Sequence, residues 1–376
     1  MTLRARKFLE SYQENTPCLV VDLDIVRQKF QEFQYLMPDT DIYYAVKANP
    51  EHDILKLLTE LGANFDAASV EEVKMCLAAG ATADRISYGN TIKKKTDIAE
   101  AYRLGVRLFA FDCIQELEKI ADVAPDAQVI ARILCSNEGA DWPLSRKFGC
   151  DPDMAEELLE AAHNLGITPA GICFHVGSQQ GNPQAWDQAL ETTATVFKNL
   201  SEKGIELTIV NLGGGFPAQY LDLIPEAENY SDAINISLKK HFGNRLPKTI
   251  IEPGRALVGD AGVIQAEVVL ISRKSHDDPT RWVYLDIGKF GGLAETMDEA
   301  IRYPIRTQRD DDQRMPCIIA GPTCDSVDVL YEKKPYPLPV SLQIGDKILI
   351  ESTGAYTTTY SSVAFNGFAP LKSFCV

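Results

Sequence analysis

The chain has 376 residues, of which 45% are hydrophobic and 24% charged, a balance typical of a globular enzyme. Its formal net charge of −16 argues against nucleic acid as a partner, because binding to phosphates needs clustered Lys and Arg. The same charge is compatible with a small cationic substrate, and an acidic surface that serves only solubility is the simpler interpretation.

The sequence predicts no membrane span, no secretory signal and no metal site. The most apolar run, residues 263–271, is too short to cross a bilayer and contains Gln and Glu. The first residues lack the apolar segment of a signal peptide, so we expect the mature protein to begin near Met1. Nine scattered cysteines without a CxxC motif indicate reduced thiols in a cytoplasm, and five histidines without an HxxxH pair argue against zinc.

Short strand-like runs alternate with helical patterns from residue 42 to about residue 261. In the stretch 51–63 the apolar residues recur at helical spacing before a Gly, as expected of an amphipathic helix. Eight such strand–helix units in about 220 residues predict a parallel (β/α)8 barrel. The predicted strands are 42–48, 64–69, 85–90, 107–112, 129–134, 171–177, 207–215 and 249–258.

After residue 262 the strand-like runs become dense and the helical patterns rare, which predicts a C-terminal all-β domain. The run 18–23, before the first barrel strand, is a further strand candidate for that domain. The predicted fold class is therefore α/β, with a barrel over 22–261 and a sandwich-like or barrel-like β domain formed by 1–21 and 262–376.

The predicted barrel strands end in polar or glycine-rich groups, and in such a barrel catalytic groups lie at the carboxyl ends of the strands. In chain order these groups are Lys47, Asp66, Asn90, Asp112, Arg132, His175, Gly213–Gly215, and Glu252 with Arg255. Each has an ordinary structural explanation by itself. Together they predict one polar mouth.

Lys47 ends the apolar run IYYAVKA, where a buried ammonium group is costly unless it is paired, neutralised or used in chemistry. One interpretation is a salt bridge with a carboxylate such as Asp66. The other is Schiff-base chemistry, which suits a desolvated lysine.

The glycine run Gly213–Gly215 is either a tight turn or a set of converging backbone amides that bind an anion such as a phosphate. Glu252 could pair with Arg255, or could hold a proton on the nitrogen of a pyridoxal ring. His175 could be a core residue or could stack on a flat cofactor, and the Ser178 hydroxyl is available to a phosphate.

Two segments of the β domain also carry candidate groups. Cys324 lies beside Asp325 in GPTCDSVDVL, where polar flanks make the thiol a candidate exposed acid, although most cysteines are buried small hydrophobes. Tyr356 follows a glycine turn in GAYTTTYSSVAFNGF, where its hydroxyl either bonds a phosphate or only packs.

Six motifs occur in the same order as in the fold-type III pyridoxal-phosphate decarboxylases, whose barrel is alanine-racemase-like. They are AVKAN, FHVGSQ, NLGGGFP, EPGR, GPTCDS and GAYTTTYSSVAFNGF. The sequence resembles the ornithine decarboxylase branch, and the run YLDIGKFGGLAETMDEAIRYP resembles that of the bacterial ornithine/lysine decarboxylases. The resemblance covers essentially the whole chain.

The resemblance implies pyridoxal 5'-phosphate bound covalently to Lys47, with His175 stacked on its ring and Glu252 at its nitrogen. It implies that the phosphate is held by Ser178, Gly215, Gly254, Arg255 and Tyr356, and that Asp66 and Arg132 line the pocket. Cys324 would return a proton after carbon dioxide leaves, and Asp325 would receive the distal amine of the substrate. Both come from the second subunit in this family, so a homodimer with shared active sites is implied.

The implied reaction is decarboxylation of L-ornithine to putrescine, with L-lysine to cadaverine as a second activity, in polyamine biosynthesis. Where eukaryotic relatives carry a Tyr-Asp pair for the distal amine, this chain has three acidic residues, Glu295, Asp298 and Glu299. Alternatives are a diaminopimelate or carboxynorspermidine decarboxylase, an alanine-racemase-type enzyme, and an inactive regulatory homologue that binds partner proteins.

Overall fold

The computed structural model describes residues 2–12, 16–142 and 147–376. Its chain divides into two compact units. We call Arg27–Pro217 with Ile224–Ala256 the barrel unit, and the residues up to Val26, Ala218–Leu223 and Leu257–Val376 the β unit. No helix within the described ranges is both long and apolar enough to span a membrane.

The described residues form strands and helices throughout both units. The strands are β1 (Cys18–Val21), β2 (Thr40–Ala45), β3 (Asn64–Ala67), β4 (Ile86–Tyr88), β5 (Leu108–Phe111), β6 (Gln128–Arg132), β7 (Ala140–Trp142), β8 (Thr168–Cys173), β9 (Ser178–Gln180), β10 (Ile209–Asn211), β11 (Lys248–Ile251), β12 (Gly262–Ser272), β13 (Arg281–Leu285), β14 (Ile305–Thr307), β15 (Arg314–Ala320), β16 (Val329–Pro339), β17 (Lys347–Glu351) and β18 (Lys372–Cys375). The helices are α1 (Leu3–Ser11), α2 (Leu23–Leu36), α3 (His52–Glu60), α4 (Val70–Ala78), α5 (Lys95–Arg103), α6 (Ile114–Val123), α7 (Pro152–Asn164), α8 (Ala185–Glu202), α9 (Ala227–Phe242) and α10 (Arg255–Val258).

Eight parallel strands close into a barrel in the order β2-β3-β4-β5-β6-β8-β10-β11, which confirms the predicted fold. The interior is filled by apolar and small side chains from several strands, among them Tyr43, Ala110, Ile130, Cys173, Ile209 and Ile250. Because all eight strands run in the same direction, their carboxyl ends meet at one mouth.

The helices of the barrel unit form for local reasons that the sequence shows. In α3 the apolar side chains that recur at helical spacing are buried, namely Ile54, Leu55, Leu57 and Leu58. The helix α4 begins after Ser69, whose hydroxyl accepts a hydrogen bond from the Glu72 amide, as an N-cap does. Gly62 follows α3 with a φ of 90°, a left-handed conformation that glycine adopts without strain.

The β unit is built on an eight-stranded mixed sheet, in which six strands follow the order β14-β17-β12-β13-β15-β16 and β1 and β18 lie off this path. The strand β1 pairs antiparallel with β12 and parallel with β18, so Cys18–Val21 of the predicted run 18–23 lies in this sheet, while Leu23 begins α2. Helix α1 packs its buried Ala5 and Leu9 against the apolar side chains of Val20 and Val263.

All eight barrel strands are shorter than predicted and end earlier, and the eighth ends at Ile251, where 249–258 was expected, with Arg255–Val258 forming α10 instead. Two of the early ends shape the site. The first ends at Ala45, and the residues Val46–Ala48 form a turn of 3₁₀ helix that contains Lys47. The seventh ends at Asn211, because Gly213 and Gly215 have φ values of 66° and 109°, which no extended strand accommodates. The short antiparallel pair β7–β9 was not predicted.

Candidate active site

Lys47 lies at the carboxyl end of β2 and is not buried as expected. Its side chain is 45% exposed, and its Nζ lies 3.3 Å from Oδ2 of Asp66, whose side chain is 4% exposed. The prediction of a buried lysine was wrong because the strand ends two residues earlier, at Ala45, and Lys47 lies in the 3₁₀ turn that follows it. The amine is therefore both ion-paired and accessible.

Asp66 lies within β3, beside a position where no larger residue fits. A Cβ on Gly89 would lie 2.0 Å from Oδ1 of Asp66, so glycine is needed for this approach. Burial raises the pKa of the nearby Glu72, while the positive charge of Lys47 opposes the rise. Glu72 accepts a 2.6 Å hydrogen bond from the Ala68 amide. Sequence inspection did not single out Glu72, although its place three residues after Ser69 is typical of a helix start.

Glu252 directly follows β11 and is the most perturbed carboxylate of the mouth. Burial raises its pKa to about 7, the charge of Asp66 adds to the rise, and Lys47 and Arg132 oppose it. Its Oε1 accepts a 2.5 Å hydrogen bond from Nδ2 of Asn211 at the end of β10. These mutual effects show that the structure brings Lys47, Asp66, Arg132 and Glu252 together.

His175 lies two residues after β8 as a neutral imidazole. Its Nδ1 accepts a 3.1 Å hydrogen bond from the Gly177 amide, so the ring proton is on Nε2. Burial, with the positive charges of Arg132 and Lys47, holds its pKa well below 6.5. A neutral ring with one fixed tautomer suits stacking better than proton exchange near neutral pH.

The glycine run follows β10 and is packed too tightly for side chains. A Cβ on Gly214 would lie 2.7 Å from the Glu252 carbonyl oxygen and 3.0 Å from Nε2 of His175. A Cβ on Gly215 would lie 2.6 Å from the Gly177 carbonyl oxygen. The close packing of Gly214 and Gly215 against the Glu252 and Gly177 backbone therefore requires glycine at both positions.

Ser178 and Arg255 add a hydroxyl and a cation to this part of the barrel unit. The guanidinium of Arg255, buried at 3% exposure, donates through Nε and Nη2 to the Ser178 hydroxyl at 3.3 Å and 3.2 Å. Arg255 begins α10, and the buried Gly254 precedes it. Arg132 ends β6, and its guanidinium lies 5.1 Å from the centre of the Phe148 ring.

Within the β unit, Cys324 is exposed on a turn between β15 and β16. Its amide donates a 2.9 Å hydrogen bond to Oδ1 of Asn366, and the half-buried Asp325 caps the Val327 amide. The buried Asp328 holds the turn in place by accepting hydrogen bonds from the Lys289 amide and from Thr323. Asp328 was not among the predicted site residues, because its contact with the Lys289 amide joins residues that are far apart in the sequence.

The three acidic residues of the segment 295–299 lie in different surroundings. Glu295 is buried, whereas Asp298 is 85% exposed and pairs with Lys333 at 3.0 Å. The side chain of Glu299 is 8% exposed and pairs with Arg302 at 2.7 Å. It also accepts hydrogen bonds from the backbone amides of residues 332–334 in β16. Asp298 and Glu299 both have positive φ values, of 53° and 60°.

Tyr356 lies in the β unit after Gly354. It is half-buried, has a φ of 55°, and its ring lies 5.6 Å from that of Tyr360. A left-handed conformation at a tyrosine is uncommon and costs about 1 kcal/mol or more. Such strain is retained where the surroundings require one side-chain direction.

A family profile described as the pyridoxal-binding domain of pyridoxal-dependent decarboxylases matches residues 23–259. The chain belongs to this family. The lysine/ornithine decarboxylase of Selenomonas ruminantium is 35% identical over 358 residues, which cover 94% of this chain and 88% of that protein. The ornithine decarboxylase of Caenorhabditis elegans is 33% identical over 374 residues, with 95% and 86% coverage.

Solved structures of the same family support both the fold and the cofactor. The structure of SrLDC in complex with PLP and cadaverine has a TM-score of 0.89 at 32% identity, covering all of this chain and 94% of that one. The expected cofactor of this pyridoxal-dependent decarboxylase is therefore pyridoxal 5'-phosphate, as the sequence resemblance implied.

The residues of the barrel unit fit this cofactor. An amine, a carboxylate and a neutral aromatic ring are collected at the mouth, in Lys47, Glu252 and His175. The Ser178 hydroxyl accepts hydrogen bonds from Arg255 and keeps its own proton, which a phosphate oxygen can accept. The described residues contain no cluster of groups suited to a metal ion.

Proposed function

We propose that this decarboxylase converts L-ornithine to putrescine and L-lysine to cadaverine with pyridoxal 5'-phosphate. The observation that carries the proposal is the joint placement of Lys47, Glu252 and the glycine run at the carboxyl ends of the barrel strands. The names of the relatives, a lysine/ornithine and an ornithine decarboxylase, support basic amino acids as substrates.

When bound, the cofactor withdraws electrons from the substrate's α-carbon and so permits loss of carbon dioxide. The Lys47 amine holds the cofactor's aldehyde carbon. Glu252 keeps a proton on the ring nitrogen by accepting a hydrogen bond from it, and Asp66 and Arg132 set the charge around this carboxylate. His175 covers one face of the ring and, being neutral, adds no charge there.

We assign the phosphate to the amides of the glycine run and the Gly254–Arg255 backbone, with hydroxyls from Ser178 and Tyr356. The contact between Arg255 and the Ser178 hydroxyl supports this assignment. The guanidinium fixes the position of the hydroxyl and places a positive charge beside it. Charge-assisted hydrogen bonds of this kind are about twice as strong as neutral ones.

Cys324 is proposed as the acid that returns a proton to the α-carbon, and Asp325 as a contact of the distal amine. The exposure of the thiol on its turn supports this role, because a buried thiol would be inaccessible to substrate. By family resemblance, Cys324 and Asp325 act from the partner subunit, so we propose a homodimer with shared sites. Sedimentation of the purified protein, and activity recovered on mixing inactive Lys47→Ala and Cys324→Ala proteins, test this arrangement.

Among the three acidic residues, we propose Asp298 as the group that meets the distal amine of the longer substrate. Its carboxylate forms an exposed pair with Lys333, whereas that of Glu299 is engaged by Arg302 and by backbone amides. Asp298→Asn is expected to raise KM for lysine more than for ornithine. If Asp298→Asn changes KM for lysine and for ornithine by the same factor, Asp298 does not have this role, and Glu295 becomes the next candidate.

The decisive experiment measures carbon dioxide release and kcat/KM with ornithine, lysine and meso-diaminopimelate on the purified protein with added cofactor. We expect ornithine and lysine to be turned over and diaminopimelate to be inert. A preference for diaminopimelate indicates the sister decarboxylase, and racemisation without carbon dioxide indicates an alanine-racemase-type enzyme. An absence of bound cofactor revives the inactive regulatory homologue.

We also propose that the protein works in the cytoplasm. None of the nine cysteines, all of which lie within the described residues, forms a disulfide, and three of them, Cys113, Cys135 and Cys375, are half-exposed in addition to the exposed Cys324. Thiols persist in reducing compartments. Fractionation of cells that express the full-length gene tests this location.

A further inference from the structure

Asn211 is a buried polar residue for which the reaction outlined above has no use. It ends β10 at 1% exposure, between the barrel wall and the glycine run. Its Oδ1 accepts a 2.9 Å hydrogen bond from the Gly213 amide, and its Nδ2 donates the 2.5 Å hydrogen bond to Oε1 of Glu252. The two segments are also joined through the backbone, because the Glu252 amide donates to the Gly213 carbonyl oxygen at 2.8 Å.

This geometry fixes the orientation of the Asn211 side chain. An amide offers an acceptor at one end and a donor at the other. The backbone N–H of Gly213 can only donate, so the end that faces it must be the oxygen. The NH₂ end must then face Glu252, and it requires an acceptor there.

The requirement extends to the charge and orientation of Glu252. An NH₂ donor stabilises the carboxylate form and occupies Oε1, so that any proton donor in the pocket is met by Oε2. The other charged and titratable groups around this carboxylate come from several elements. They are Tyr43 of β2, Lys47 of the following 3₁₀ turn, Asp66 of β3, Arg132 of β6 and Cys173 of β8.

We propose that Asn211 is a positioning residue for the cofactor: it holds Glu252 as a carboxylate whose Oε2 accepts the hydrogen bond of the protonated ring nitrogen. It also couples this carboxylate to the phosphate-binding glycine run through Gly213. The inference rests on the proposed function, since it requires a pyridine ring in the mouth.

The test compares Asn211→Asp and Asn211→Leu with wild type in the binding of pyridoxal 5'-phosphate at pH 6 and pH 9. In Asn211→Asp the new carboxyl keeps an acceptor for Gly213, but it donates to Glu252 only while the two acids share a proton. Above the pKa of that shared proton both acids are charged and repel each other. An amide at position 211 has no such titration, so wild type serves as the reference at each pH.

A matched control exists in the outer helices. The Nδ2 of Asn199 in α8 donates to Oε1 of Glu156 in α7 at 2.6 Å, in the same arrangement as the Asn211–Glu252 pair. Asn199→Asp therefore creates an acid pair of the same kind away from the barrel mouth. This half-exposed pair reports what a second acid beside a carboxylate does to cofactor binding from outside the mouth.

We expect the dissociation constant of Asn211→Asp to be within about threefold of wild type at pH 6 and at least about tenfold higher at pH 9. Asn211→Leu should bind the cofactor about tenfold or more weakly than wild type at both pH values, whereas the affinity of Asn199→Asp should be unchanged at both. The ring-nitrogen ¹⁵N chemical shift of labelled cofactor should differ from that of wild type in Asn211→Asp at pH 9 and match it at pH 6, because repulsion between the two charged acids moves Oε2 of Glu252 away from the ring nitrogen.

The inference is overturned if the dissociation constant of Asn211→Asp has the same ratio to that of wild type at both pH values, or if the ring-nitrogen ¹⁵N shift of Asn211→Asp matches that of wild type at pH 9. This comparison needs only Asn211→Asp and wild type, so it remains decisive even if Asn211→Leu does not fold. Wild type that binds no pyridoxal 5'-phosphate contradicts the proposed function itself, whereas wild-type binding with unchanged variants contradicts only the role of Asn211.

Discussion

Replacing Glu252 by Gln should stabilise the cofactor-free protein, and the gain should grow as the pH rises. Burial, with the charge of Asp66, raises the pKa of Glu252 from 4.5 to about 7. A carboxyl group with a raised pKa binds more protons in the folded than in the unfolded protein between these values. Its contribution to stability is therefore complete below pH 4.5 and is lost as the pH rises through 7.

A rise of this size corresponds to about 3 kcal/mol in the free energy of unfolding at pH 8. That figure is an upper limit, because the side chain keeps part of its surface in solvent. Gln has the same shape, retains an oxygen for Asn211, and carries no charge. The variant should thus gain up to this amount at pH 8 and much less at pH 5.5.

The assay is urea unfolding of the cofactor-free wild type and Glu252→Gln proteins at intervals from pH 5.5 to pH 8.5. Glu156→Gln, which removes a carboxylate from the outer helices, is the control. The same Glu252→Gln protein should bind pyridoxal 5'-phosphate more weakly, because a neutral amide holds a pyridinium less well. A gain that is equal at every pH, or a loss that deepens as the pH rises, would refute the reasoning.

Three further predictions concern other parts of the molecule. Gly214→Ala should weaken cofactor binding by about tenfold or more, because its Cβ would meet the Glu252 carbonyl oxygen at 2.7 Å; titration with cofactor measures this, and unchanged affinity would show that the run can relax. Cys324→Ala should lower kcat by about 10²–10⁴-fold without changing cofactor affinity, and a fall of less than about threefold would exclude the thiol as the acid. The buried Nζ of Lys93 lies 3.1 Å from Glu116 and 2.7 Å from the Ala110 carbonyl oxygen. Lys93→Met should therefore lower the free energy of unfolding by about 3 kcal/mol. The double variant Lys93→Met/Glu116→Leu should cost less than the single one in urea unfolding, and a strictly additive loss would contradict the ion pair.

The barrel could be predicted from the sequence because its signal is local and repeated. Each strand is a short apolar run, each helix has an apolar face, and α3 shows both the spacing and the glycine that follows its end. The polar residues at the strand ends followed from the same alternation, since parallel strands place their carboxyl ends together. The exact ends of the strands could not be predicted, because the 3₁₀ turn at Lys47 has no sequence pattern of its own.

The partners of the candidate residues could not be predicted for a different reason. Asn211 and Glu252 are separated by a whole helix and a strand, and only the closed barrel brings their side chains within hydrogen-bond distance. Asp298 and Glu299 are neighbours with the same chemistry, yet one is exposed and the other is engaged by β16. Such differences depend on tertiary packing, which neighbouring residues in the sequence do not record.

The pairing of β1 has a consequence for the order of folding during synthesis. Cys18 at the start of this strand is paired with Gln265 on one side and with Lys372 on the other. All four residues of β1 are buried, so the strand leaves the ribosome early with an apolar surface and unpaired backbone groups. Its partner strands β12 and β18 are synthesised only after the barrel strands. Most barrel strands, in contrast, can pair with a strand that was synthesised shortly before them. Contacts between distant residues form slowly. The β unit should therefore complete its sheet last, and β1 is the segment most exposed to aggregation until then.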